Sequence, residues 1–148
     1  MRVYEAISFK EADYFIRSSF VMTEFRNMEI NKEGLAILST FDETKPVFMM
    51  NYLNYKELVS STGKTGKETY NEYMKAAFPF FQKIDANIIF KGKPQATIIG
   101  PSDEKLWDEV LIVKYANKNE FFKLMGFKEY PIELRASALS DSRLIFCK

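Results

Sequence analysis

The spacing of apolar positions divides the chain near residue 46. Before it, Ala12, Phe15, Ile16, Phe20 and Met22 recur at roughly helical intervals. Ser8 with Glu11 forms a capping-box pattern, which predicts a helix from there to about Met28. The polar run 27–31 ends it. Asn31 then caps a second short helix, from Lys32 to about Thr40, that turns Leu35, Ile37 and Leu38 inward. Residues 41–46 connect. The chain therefore reads as a helical extension over residues 1–45 and a second domain over 46–148.

From residue 46 the period shortens. Residues 47–53 are apolar except for Asn51, the pattern of a strand buried on both faces. Residues 56–66 are polar and Gly-containing, a loop. Thr65 with Glu68 is a further capping box, opening a helix whose stripe carries Tyr70, Tyr73, Met74, Ala77, Phe81 and Ile84, with Pro79 removing one donor late in it. Residues 86–90 and 96–99 predict strand, with a bend at Gly92 and Pro94. Residues 108–115 predict another strand, centred on Val110, Leu111, Ile112 and Val113. Asn117 and Glu120 start a helix with Phe121, Phe122, Leu124 and Met125. Residues 129–139 are helical in part, and 143–147 close the chain as a strand.

That order from residue 46 is β-α-β-β-α-β, the split-βαβ or ferredoxin-like arrangement, and the fold class is α+β. Helices cover one face of such a sheet. Here Phe48, Met50 and Tyr52 alternate with Val47, Met49 and Leu53, so the second face is apolar too. Either the N-terminal helices or a second copy of the chain must cover it.

Composition then removes chemistries. With no histidine, the chain cannot build a Ser-His-Asp triad, a Cys-His pair, an HExxH site or a His-ligated haem. A single cysteine excludes an internal disulfide and a Cys-based zinc site. Lys and Arg number 21 against 20 Asp and Glu, so no net field favours nucleic acid or an anionic membrane. No apolar run reaches the roughly 20 residues of a membrane span, and the first residues carry charges where a secretion signal needs an apolar run. The expectation is a soluble, cytoplasmic protein with no metal, no cofactor, no nucleic-acid partner and no membrane partner. Residues 63–68 superficially resemble a phosphate loop, but the glycines are too close and Glu68 follows Lys67 where Ser or Thr is needed.

Several segments together carry a resemblance. Residues 47–56, Tyr70 and Tyr73 in their helix, Ile98-Ile99-Gly100, Trp107-Asp108, Tyr130 and residues 135–145 resemble domain-of-unknown-function family 1330 of the dimeric α/β-barrel superfamily, over about residues 46–147. The resemblance implies two ferredoxin-like sheets packed face to face as a homodimer, with a pocket between each sheet and its helices. It implies no particular reaction. Relatives in the superfamily include cofactor-independent monooxygenases, muconolactone isomerases, haem-degrading enzymes and proteins without demonstrated activity. This chain has Leu134 before Arg135, where such proteins often have His, and it lacks a haem ligand.

The candidate residues follow from both readings. Asn51, an amide inside a strand, either orients a ligand or satisfies the backbone of an irregular strand. Asp108 is a candidate base with Trp107 as its apolar wall; the alternative is a turn at the strand's start. Tyr70 is the candidate phenol donor and Tyr73 a ligand contact, unless both rings are simply core. Arg135 either holds an anion or pairs with Glu129, Glu133 or Asp141. Catalytic roles thus fall to Asp108 and Tyr70, and ligand binding to Asn51, Tyr73, Trp107 and Arg135. The expected function is a small-molecule protein, a cofactor-independent isomerase or monooxygenase acting on an oxygenated aromatic or polyketide-like compound. A non-catalytic metabolite-binding or structural homodimer is the alternative.

Overall fold

A computed structural model describes residues 29–148. The helix expected from Ser8 to Met28 lies outside them. Asn31 accepts from the Gly34 N–H at 2.9 Å and opens α1 (Lys32–Thr40), as its cap pattern requires. Leu38 is buried by this helix, whereas Ile37 is 63% exposed. Positions 35 and 38 share a helical face and position 37 does not, so the expectation that Ile37 turns inward fails.

After α1 come β1 (Val47–Tyr55), α2 (Gly66–Phe81), β2 (Ala86–Gly92), β3 (Glu109–Tyr115), α3 (Lys118–Gly126), α4 (Ile132–Ser137) and β4 (Leu139–Cys147). The four strands form one antiparallel sheet in the order β2-β3-β1-β4. This is the β-α-β-β-α-β order with one short helix added before the last strand. Both elements of the Thr65–Glu68 capping box are formed at the start of α2. Asn117 caps α3 by accepting from the Asn119 and Glu120 N–H groups.

The segment expected as strand at 96–99 is loop. Ile98 and Ile99 are 89% and 94% exposed. Pro94 and Pro101 lack donors, and Gly100 has φ +130°, a conformation closed to most side chains. Apolar character alone therefore finds no partner there. The last strand begins at Leu139, four residues earlier than expected.

Inner and outer faces of the sheet separate by parity. Val47, Met49, Asn51, Leu53, Leu111, Val113 and Tyr115 point inward and are buried with residues of α2, α3 and α4. Each fully buried Leu or Val contributes about 1.5–3 kcal/mol relative to exposure. Phe48, Met50, Tyr52, Val110 and Ile112 lie on the opposite face and are only half-buried. Among the described residues, no helix is long and apolar enough to cross a membrane.

Candidate functional site

Arg135 sits in α4, directly over the inward face of β1 and β4. Its Nη2 donates to Asn51 Oδ1 at 3.3 Å and to Ser142 Oγ at 3.2 Å. Register explains why these two residues face it. Asn51 follows the inward parity of Val47 and Met49. Ser142 is three residues beyond buried Leu139, which a regular strand would place on the other face. A shift in the β1–β4 register between Asn54 and Tyr55 reverses that parity, so both Leu139 and Ser142 point inward. The Asn51 amide is oriented by its other end, with Nδ2 donating to Met49 O at 3.3 Å and Leu111 O at 3.4 Å. Its carbonyl oxygen is thereby left facing Arg135.

Phenols enclose the guanidinium. Tyr70 and Tyr73 come from α2, Tyr130 from the turn before α4 and Tyr115 from β3, and all four are buried. The rings of Tyr70, Tyr73 and Tyr130 run as a chain, with centroids 5.2 Å apart for Tyr70 and Tyr73 and 6.1 Å for Tyr73 and Tyr130, while the Tyr115 ring packs on Phe121. Tyr73 and Tyr130 also join by a hydrogen bond between their hydroxyls. Burial pushes all four phenols well above the usual tyrosine range; at Tyr70 the neighbouring Arg135 charge opposes that rise. The group therefore holds neutral phenols around one permanent cation at neutral pH.

The ion pair offered as one of the two readings of Arg135 is absent among the described residues. Asp141 pairs with Arg143 instead, at 2.5 Å, and no carboxylate of the described residues lies within 4.0 Å of Arg135. A buried or half-buried cation normally recruits a carboxylate, because desolvation is otherwise uncompensated. Here hydroxyls and one amide carry that task.

Asp108 and Trp107 do not join this group. Asp108 Oδ2 accepts from the Tyr55 N–H at 2.8 Å, while its own N–H donates to Leu53 O at 2.8 Å and Asn54 Oδ1 at 3.0 Å. The residue ties the end of β1 to the start of β3. Trp107 packs on Tyr52, centroids 5.7 Å apart, with the Arg143 guanidinium 5.5 Å from its ring. Tyr52 and Arg143 belong to the outer face, so Trp107 walls that face and not the Arg135 group.

Glu109 is the functional candidate that sequence reasoning passed over. It shares the inward parity of Leu111, Val113 and Tyr115 and is only 6% exposed. Lys67 Nζ reaches its Oε2 at 3.2 Å, and Lys91 Nζ lies 3.7 Å from Oε1. A charged residue on the apolar parity of a strand was the available signal.

No family model and no curated protein matches the chain. Two crystal structures share its fold. One is the methylated RPA0582 protein, with TM-score 0.72 and 27% identity over 81% of this chain and 92% of that one. The other is RPA0582 of Rhodopseudomonas palustris, a protein of unknown function, with TM-score 0.72 and 28% identity over 81% and 94% of the two chains. The chain is therefore similar to uncharacterised proteins of α+β fold.

Proposed function

We propose that the chain binds an anionic, oxygenated small molecule between its sheet and its helices. Arg135 supplies the charge, and Asn51, Ser142 and Tyr70 supply direction. The observation that carries this reading is the Arg135 guanidinium, enclosed by phenols and without a carboxylate partner among the described residues. A planar fork of donors with spare capacity suits a carboxylate or an enolate oxygen. Phenolic donors around the same point suit the charge that develops when a carbonyl compound enolises. A cofactor-independent isomerase or oxygenase would use the group in that way, with Tyr70 as the donor. This reading gives the proton-handling role to the phenols near Arg135 and assigns none to Asp108, one of whose carboxylate oxygens accepts from the Tyr55 N–H.

Benzoate and its neutral counterpart benzyl alcohol test the charge requirement by calorimetric titration. Benzoate should bind and benzyl alcohol should not. Arg135→Met should weaken benzoate by roughly ten- to a hundredfold, the range for hydrogen bonds to a charged group, ~1.5–3 kcal/mol. Equal binding of the neutral compound, or an unaffected Arg135→Met protein, would refute the reading. Turnover of lactones, quinones or phenols would then separate catalysis from simple binding.

The functional unit in this proposal is a homodimer formed through the outer sheet face. Phe48, Met50, Tyr52, Val110 and Ile112 form a contiguous apolar surface there that no described helix covers. Surfaces of that kind mark association sites. Light scattering at micromolar concentration should give the mass of two chains, and Ile112→Glu should give one. A single-chain mass for the unmodified protein would exclude the dimer.

A further inference from the structure

An apolar surface shared by α1 and β4 stays open among the described residues. Ile37 is 63% exposed and Leu144 is 45% exposed. They flank one contact, in which the Phe41 and Phe146 rings pack edge-on with centroids 5.0 Å apart. Ile37 and Phe41 stand four residues apart on one side of α1 and its cap. Leu144 and Phe146 share the inward face of β4, opposite Asn51 and Met49. The four side chains therefore make one stripe whose two ends face water.

A matching stripe lies in the same chain. Residues 8–28 carry Ala12, Phe15, Ile16, Phe20 and Met22 at roughly helical spacing, with Lys10, Glu11, Asp13 and Arg17 beside them. A helix of that length is marginal in water unless its apolar side packs on something. Its route is set by α1. Ile30 and Leu35 occupy the two positions of a hydrophobic staple around the Asn31 cap, a pattern that fixes the angle at which the chain enters the helix. The connection over residues 27–31 is short, and short connections make successive helices antiparallel neighbours.

We propose that residues 8–28 fold back along α1 as an antiparallel helix and cover the stripe from Ile37 to Leu144. About 20 helical residues span roughly 30 Å, against roughly 14 Å for the 9 residues of α1, so the segment overruns Phe41 and reaches β4. A second copy of the chain competes poorly at micromolar concentration, because a short tether holds the segment at an effective concentration on the order of millimolar. The docked helix stands beside the Arg135 group, since Ser142 is two residues from Leu144 on the same face of β4, roughly 7 Å away.

Hydrogen exchange and thermal melts on the full chain test this, with Ile37→Lys, Leu144→Thr and Phe20→Lys alongside. Lysine is at least as good a helix former as isoleucine, and threonine suits a strand, so on the described contacts alone the first two variants should melt almost unchanged. With the segment docked, all three should melt several degrees lower. Amides of residues 12–22 should exchange roughly a hundredfold more slowly than in an unstructured chain, and each variant should remove most of that protection. Fast exchange throughout residues 8–28 of the unmodified protein overturns the proposal. Protection that survives in both Ile37→Lys and Leu144→Thr overturns it too, since the segment then packs elsewhere. Protection that fades on dilution, in step with the mass by light scattering, gives the surface to a second copy and overturns the fold-back.

Discussion

Gly66→Ala should lower the melting temperature by roughly 10 °C. The position has no left-handed backbone; its constraint is close approach. A methyl group there would fall inside contact distance of three backbone atoms, Ala138 O, Lys56 N and Lys56 O. Those atoms belong to hydrogen bonds that fasten three elements together. Gly66 N donates to Lys56 O at 2.8 Å, and Lys56 N donates to Ala138 O at 3.0 Å. The start of α2, the end of β1 and the residue before β4 are thus clamped at one point, and backbone cannot swing aside as a side chain can. Overpacking of this kind costs about 3 kcal/mol at its upper end, a large share of the 5–15 kcal/mol typical of a domain. Differential scanning calorimetry would measure it, and an unchanged melting temperature would show that the clamp is loose. The same clamp positions Tyr70 and Arg135, so a surviving fraction of the variant should also bind benzoate more weakly.

Alkaline solution should unfold the protein cooperatively above pH 10. Tyr70, Tyr73, Tyr115 and Tyr130 are buried, and desolvation raises each above the ordinary value of 10.0. Below that value both states keep the proton and the groups are silent. Above it the unfolded chain releases protons that the folded chain retains, so stability falls as pH rises. Each tyrosine contributes a slope of roughly 1.4 kcal/mol per pH unit, and four together roughly 5. A typical domain stability is then exhausted within about one to three pH units. Tyrosinate absorbance and circular dichroism should change together in one transition. Lysines titrate in the same range, so Tyr115→Phe isolates one tyrosine's share and should flatten the slope by one proton. Ionisation of Tyr70, Tyr73, Tyr115 and Tyr130 near pH 10 in a protein that stays folded would contradict their burial.

Much of the architecture was legible because it is local. The caps at Asn31, Thr65 and Asn117 each needed only a side-chain oxygen and a backbone N–H within three residues. The apolar run of β1, interrupted over residues 47–53 only by Asn51, announced a sheet greasy on both faces. Local reasoning failed where an apolar residue lacked a neighbour to meet: Ile37 points outward from its helix, and Ile98 and Ile99 lie on an exposed loop. The candidate site was legible only in part. Asn51, Tyr70, Tyr73 and Arg135 converge, whereas Asp108 bridges β1 and β3 and Trp107 packs on the opposite face.

The chain's own spacing determined the helices, the strands β1 to β3, where helices begin, and that both sheet faces are apolar, because those properties depend on residues a few positions apart. Tertiary structure alone decided that Arg135 meets phenols instead of a carboxylate, that Ser142 turns toward it, and that Glu109 and not Asp108 faces inward. Those outcomes hang on strand register, where a shift of one residue exchanges the two faces of a sheet and no short stretch of sequence records it.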